Sequence, residues 1–526
     1  MFATYERRWW TLGILCLSLV MIILGNTVLN VALPTLQREL DASGTALQWM
    51  VDTYSLVFAG LLLTAGALGD RFGRKGFLAF GLSIFGLASL AATQASSPGH
   101  IIAARSVMGI GAAFVMPATL SILTNVFPPN ERAKAIGIWA GLAGAGAAIG
   151  PIAGGYLVDH FSWSAVFYLN IPVVLIALVG GALLVPTSRD PEVHPLDPVG
   201  ALLSIAGFTA LVYAVIEAPE NGWLAPSTLL VFALAAALLV LFGLWEWRTS
   251  DPMLDLRFFR NPRFSAASGA IMVQFMTMMG MFFVLTQYLQ FARGYSPFAA
   301  GLHALPMPVA MMMFASTSPK IVERFGPRLV VASGMGITTL GVLGLSTLDV
   351  NSPYVLLAVS LFIMGSGAGM VMPPSTTSIM STLPLGKAGV GSAVNDTTRE
   401  IGAALGVGIM GSVLASQYTA SLETAVSQLP ASLREDANSG VGQALQVAGR
   451  LGGSAGAQFA DAARDAYIHG MRVSLWVAAG LLATGALVVQ RYFPAHAEPH
   501  PRPEYLPEEV DVDGPDAAVV GAATTT

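Results

Sequence analysis

The sequence predicts an all-α integral membrane protein with 14 transmembrane helices. They form two six-helix bundles related as parallel repeats, with two further helices inserted between them. Three observations carry this. The 526-residue chain is 54% hydrophobic and 11% charged, whereas a soluble domain carries about 25% charged residues. Its apolar runs repeatedly reach the length of about 20 residues that a membrane helix needs. A short charged loop in the first half has an echo at the same topological position in the second.

The runs fall at 12–32, 47–69, 76–95, 101–124, 135–158, 165–186, 198–218, 226–246, 264–287, 298–318, 329–347, 354–376, 394–416 and 470–490. The first run follows Arg7, Arg8, Trp9 and Trp10 and has no small-residue cleavage site after it. It reads as a retained helix with an interfacial aromatic anchor. With the N-terminus inside, the cytoplasmic segments collect most of the basic residues, among them Arg71, Arg74, Lys75, Arg132, Lys134, Arg257, Arg260 and Arg263. The outside holds Arg38, Arg293, Arg434, Arg450, Arg464 and Arg472, and Arg105 and Arg399 fall inside helices. This asymmetry places both termini in the cytoplasm of a multi-pass plasma-membrane protein. The net charge of -5 carries no information about nucleic acid, and none is expected as a partner.

The charged loop is "GDRFGRK" at 69–75, and its echo is "VERFGPR" at 322–328. Both follow an outside-to-inside helix. The pair divides the chain into an N-terminal bundle at 1–190, an inserted pair at 191–260 and a C-terminal bundle at 261–490. The C-terminal bundle includes an external amphipathic hairpin at 417–466. The tail 491–526, rich in Pro, Glu, Asp and Ala, reads as disordered. Duplicated halves of this kind are how many secondary transporters are built, with the substrate site between them.

Several stretches now carry a family resemblance. "GALGDRFGRKGFL" resembles the loop signature of the major facilitator superfamily. "RSVMGIGAA" at 105–113 resembles its fourth-helix motif, with Met108 where Gln is usual, and "GAAIGPIAGG" at 146–155 resembles its fifth-helix antiporter motif. "TVLNVALP", "WSAVFYLNIP", "QYLQFARGYSPFAAGLHALP" and "GSAVNDTTREIGAALGVGIMGSVL" resemble the fourteen-helix drug/proton antiporter branch. The resemblance covers residues 12 to 490. It implies a monomeric secondary transporter that exports amphipathic or lipophilic compounds by alternating access, using protons as the driving ion.

Each motif has a physical reading beside that resemblance. In the loop, Gly66 and Gly73 allow a tight turn, and Asp70, Arg71 and Arg74 can make charge-assisted hydrogen bonds. By resemblance these five residues latch the two bundles. The simpler reading is that the positive charges only fix topology. On the fifth helix, Gly146, Gly150 and Gly154 share one face that permits close packing. Gly155 adjoins them, and Pro151 should kink the helix.

An arginine inside a membrane helix is costly and is a functional candidate by default, which singles out Arg105 for coupling. The other reading is an ion pair or a snorkel to the outer surface. The branch usually has an acid just before "TVLNVALP", but this chain has Gly25 there. The remaining carriers are Asp52, Glu217, Asp396 and Glu400. Asp396, Arg399 and Glu400 lie at i, i+3 and i+4, so each acid can pair with the arginine as a lock near the cytoplasmic end. His303 could titrate near neutral pH, although a lone helical histidine is more often structural.

Asn26, Asn30, Trp49, Tyr54, Met278, Phe282, Phe283 and Gln287 are candidates for the substrate cavity. Methionines crowd the ninth and tenth helices and suit a promiscuous apolar pocket or ordinary packing equally well. Glycine clusters such as "GAGAAIG" follow no strand, and no GxxxxGK[ST] is present. An ATP site, a cofactor and a bound metal are therefore not expected. No nucleophile–base pair suggests an enzyme. The lone Cys16 cannot form an intramolecular disulfide. Two other functions stay open: export of one defined lipid, siderophore or biosynthetic product, and a non-transporting membrane sensor or scaffold.

Overall fold

A computed structural model describes residues 7–40, 42, 44–188 and 197–494. Every expected apolar run is mainly helical, but the runs at 165–186 and 298–318 are each divided between two helices, at Leu169 and at Ala304 and Leu305. The long helices are α1 (Arg8–Glu39), α2 (Gly44–Phe72), α3 (Arg74–Ala92), α4 (Pro98–Val126), α5 (Pro129–His160), α6 (Asn170–Leu184), α7 (Pro198–Asn221), α8 (Pro226–Arg248), α9 (Pro262–Gln287), α10 (Pro306–Phe325), α11 (Pro327–Ser346), α12 (Tyr354–Ser381), α13 (Ala388–Ser427) and α14 (Gly453–Tyr492). Among the described residues, 13 helices are long and apolar enough to cross a membrane. The expected fifth run lies in α5, a continuous helix of 32 residues.

Local chemistry sets the helix starts. Proline opens α4, α5 and α7 through α11, where its missing N–H costs nothing. Asp197 and Asn261 cap α7 and α9 by accepting from the N–H groups of Gly200 and Arg263, as N-cap side chains do. Gly73 at φ 118 and Gly326 at φ 78 turn the chain between α2 and α3 and between α10 and α11. These are the matching glycines of the two echoing loops, in a backbone region that favours glycine.

Two apolar cores form. One draws mainly on residues 12–185, the other mainly on residues 242–493. The same helix pairings occur in each. In the first, α1 packs on α5, and α2 and α3 pack on α4; in the second, α9 packs on α13, and α10 and α11 pack on α12. Glycines set the closest approaches. A Cβ placed on Gly81 would stand 2.6 Å from the Gly111 carbonyl oxygen, and one on Gly334 would stand 3.0 Å from that of Gly367. Gly109 abuts the Tyr54 carbonyl, and Gly365 abuts that of Met307. The glycine face of the fifth helix lies on α1: Gly146 faces Ile23, Gly150 faces Thr27 and Gly154 faces Val28. Pro151 lies within continuous α5, and its side chain falls outside the described residues.

Across the seam between the cores, α2 packs on α13 and α5 packs on α10. The inserted α7 lies against both α2 and α13. Tyr213 of α7 stacks on Trp49 at 6.2 Å, and Trp223 donates to Ser412 Oγ at 2.6 Å. The segment 417–466, expected to be an external amphipathic hairpin, is helical for most of its length. Helix α13 runs on to Ser427 and α14 begins at Gly453, each with 40 residues. Two short helices, Ala431–Asn438 and Val441–Leu451, close the gap. Nothing breaks the helix before Pro430, so it continues past the apolar run. Beyond α14, residues 495–526 of the expected disordered tail fall outside the described residues.

The α3–α4 contact yields a stability prediction. Gly111→Val should force these helices apart and cost about 1–3 kcal/mol, as overpacking does. Gly76→Ala, where nothing lies within 4 Å of the added carbon, should be close to neutral. Thermal unfolding of the purified protein checks both.

Candidate functional site

The charged groups lie in two places, one at the end of the bundle and one in its middle. At the end, Asp70 of α2 is 4% exposed. It accepts from the backbone N–H groups of Gly389, at 2.7 and 2.8 Å, and Val390, at 3.1 Å. These groups form the start of α13, whose positive dipole end favours a carboxylate. Arg74 reaches the same junction. Its Nε donates to Asp70 at 2.7 Å, and its Nη2 donates to the carbonyls of Leu385 and Gly386 at 2.8 and 2.7 Å. The loop thus binds one core to the other. Gly66 brings α2 close enough, since a Cβ there would stand 2.5 Å from the Gly389 carbonyl oxygen. Arg71 lies over the Phe72 ring at 5.3 Å.

The echo loop makes no comparable clamp. Pro327 stands where Arg74 stands in the first loop and has no guanidinium. Glu323 and Arg324 are exposed. A cavity of about 600 Å³ opens beside them, walled by Arg263, Ser318, Glu323, Arg324, Thr377 and Ser378.

In the middle of the bundle, Arg105 of α4 is fully buried. Its Nε donates to the Met50 carbonyl at 3.1 Å and its Nη1 to the Gly25 carbonyl at 3.0 Å. Its guanidinium lies 4.3 Å from the Tyr54 ring centroid. It therefore does not snorkel to the surface. Gly25 meets it with a backbone oxygen where an acid was expected. A Cβ at Gly25 would stand 2.8 Å from Phe85, so a larger residue there requires that ring to move.

Tyr54 is 2% exposed, and its hydroxyl has no hydrogen-bond partner. It lies within electrostatic reach of both Arg105 and Glu400. Glu400, Arg399 and Asp396 belong to α13, on the other side of the seam. Arg399 Nη1 bonds Asp396 at 3.4 Å, and the guanidinium lies 5.1 Å from the Trp139 ring and 5.0 Å from the Phe275 ring. Glu400 acts on Arg399 electrostatically without a hydrogen bond. The expected two-acid lock is therefore a single bond. Nor does it lie at the start of α13. Arg399 is 11 residues into α13, which at 1.5 Å per residue is about 16 Å from the helix start.

The other candidates scatter. Asp52 is half-buried on α2, next to Thr53, whose hydroxyl bonds that of Ser106 at 2.8 Å. Glu217 accepts from Asn221 at 2.9 Å, near the end of α7. Trp49 faces Tyr213 of the inserted helix. Met278 is buried, Phe282 and Gln287 are half-buried, and Phe283 is 40% exposed beside Gly411. His303 stacks on Tyr295 at 4.3 Å, meets Tyr354 edge-on and hydrogen-bonds the Ala299 carbonyl. Asn26 and Asn30 lie on α1, and their side chains fall outside the described residues. Sequence reasoning missed Trp139, Phe275 and the carbonyls that receive Arg74. The one available signal was Trp139, a tryptophan deep in a helix and not at its interfacial end.

An all-helical bundle that buries charges at the seam between two cores has the architecture of a membrane transporter. The family model "Major Facilitator Superfamily" matches residues 15–407, and the chain belongs to that superfamily. It is 35% identical over 487 residues to the multidrug efflux pump LfrA of Mycolicibacterium smegmatis, covering 92% of this chain and 96% of that protein. It is 37% identical over 484 residues to the methyl viologen resistance protein SmvA of Salmonella typhimurium, covering 90% and 96%. The crystal structure of the human organic anion transporter MFSD10 (TETRAN) superposes with a TM-score of 0.62 at 12% identity, over 92% of this chain and 99% of that one. That last likeness concerns the fold alone.

The end clamp yields a prediction. A hydrogen bond to a charged group contributes about 1.5–3 kcal/mol, so Asp70→Ala should favour opening at this end by at least tenfold. A cysteine introduced by Ala67→Cys, in a Cys16→Ser background, should then react at least tenfold faster with a water-soluble maleimide.

Proposed function

We propose that this protein is a proton-driven exporter of amphipathic and lipophilic compounds that works by alternating access. In this reading, 14 helices cross the plasma membrane, with both termini in the cytoplasm. Two parallel six-helix repeats enclose the transport path, and α7 and α8 flank it. The protein works as a monomer, without ATP or a metal. The recurrence of the same helix pairings and glycine contacts in both cores supports the duplication. The names of the relatives, a multidrug efflux pump and a methyl viologen resistance protein, support the substrate class.

The observation that carries the coupling is the line of groups across the seam: Arg105, Tyr54, Glu400, Arg399 and Asp396. Coupling requires that a change of charge in one half be felt by the other. Tyr54, whose ring lies under the Arg105 guanidinium of α4 and which is within electrostatic reach of Glu400 of α13, supplies that link. With Gly25 bare, the proton carrier moves to α13, where Glu400 and Asp396 are the acids. Arg105 holds the first half of the line by its bonds to backbone oxygens. The loop of Asp70 and Arg74 closes the cytoplasmic end while the outer end is open. One proton crossing 100 mV supplies about 2.3 kcal/mol, enough for a roughly 50-fold gradient. Export of a single defined compound is the second reading, favoured by the missing acid at position 25. A narrow competition profile would bring it forward.

The test is ethidium transport in proteoliposomes with an imposed pH gradient. Wild-type protein should accumulate dye uphill, and a protonophore should abolish this. Glu400→Gln should lower uphill transport at least tenfold while leaving downhill exchange within threefold. Uphill transport by wild type that ignores the protonophore would overturn the reading.

A further inference from the structure

The Arg399 side chain is held in an unusual way. It is 4% exposed, in the middle of the bundle. An arginine in such a place normally uses its planar fork to bind oxygen atoms in pairs. Arg399 makes one long bond, 3.4 Å to Asp396 Oδ1. Its Nε and Nη2 are buried and have no hydrogen-bond partner among the described residues, and neither does Asp396 Oδ2. What does hold the guanidinium is two aromatic rings, Trp139 and Phe275, 5.1 and 5.0 Å from its centre. A cation over an aromatic face is attracted by the negative face of the ring.

Trp139 is fully buried, and its Nε1 donates to Thr119 Oγ1 at 3.3 Å. Phe275 lies on α9 next to fully buried Gln274. The two rings come from opposite cores, so any movement of the halves changes their spacing. Beside them lie Asp396 and Glu400. With both carboxyls ionised, the two acids and Arg399 carry a net charge of about -1, which one further positive charge would neutralise.

We propose that Trp139 and Phe275 are the walls of a substrate subsite for flat aromatic monocations, and that Arg399 fills this subsite when no substrate is bound. A planar aromatic cation offers more ring overlap than a guanidinium and needs few hydrogen-bond partners. It therefore displaces Arg399 from the rings and leaves the arginine free to turn towards Glu400. This deepens the exporter reading above and rests on it.

The experiment measures equilibrium binding to the full-length protein in nanodiscs at one fixed pH. Ethidium, a planar cation, is followed by fluorescence anisotropy, and tetraphenylphosphonium, a non-planar cation of the same charge, by equilibrium dialysis. Trp139→Leu should weaken ethidium binding at least tenfold and change tetraphenylphosphonium binding less than threefold. Arg399→Ala should tighten ethidium binding three- to tenfold, because nothing has to be displaced. Arg399→Lys, which keeps the charge and loses the planar fork, should tighten it by a smaller factor and serves if the alanine variant does not fold. Equal weakening of both ligands by these substitutions would mean a purely structural cluster and overturn the proposal. Weaker ethidium binding in both Arg399 variants would overturn it as well. Wild-type protein that shows the expected binding pattern but no proton-driven transport would sink the exporter reading and leave the subsite standing.

Discussion

Charge has no cheap place inside a hydrocarbon layer, and the rest of this structure follows from that constraint. A buried ionic group must find partners within the protein or move to the end of a helix. The chain uses both solutions. At one end, Asp70 and Arg74 are satisfied by each other, by the first N–H groups of α13 and by the carbonyls before it. In the middle, Arg105 is satisfied by two backbone oxygens and one aromatic face. The α13 cluster is left under-bonded, with atoms on Asp396 and Arg399 that have no hydrogen-bond partner among the described residues. A half-satisfied polar group in a low-dielectric core is costly, and that cost gives the cluster a reason to exchange partners.

Close helix packing makes these solutions possible. The Asp70 carboxylate reaches the start of α13 because Gly66 and Gly389 let the two backbones approach. The same device fixes α3 on α4 and α11 on α12. Between helices in lipid, such packing replaces the hydrophobic driving force that water would otherwise supply. The two halves share this scaffold but not its chemistry. The first loop carries a clamp, while the second has Pro327 at the matching place and a cavity beside it.

Composition and hydropathy alone determined that this is a multi-pass helical membrane protein, because a helix in lipid must satisfy its own backbone and show an apolar surface. Those demands are local, so every apolar run is mainly helical and Gly73 and Gly326 marked the matching turns. The loop residues Asp70 and Arg74 were legible as a charged unit for the same reason. Their partners were not, since backbone groups of Leu385, Gly386, Gly389 and Val390 lie more than 300 residues away and carry no side-chain signature. The i, i+3 spacing of Asp396 and Arg399 predicted their bond. It could not show that Trp139 and Phe275 would lie against the guanidinium, or that Glu400 would make no hydrogen bond to it. Nor could it show that Phe85 fills the space beside Gly25. Those outcomes depend on how helices from opposite halves meet. Only the tertiary structure decides them, because side-chain contacts across a helix seam follow from packing geometry and not from spacing along the chain.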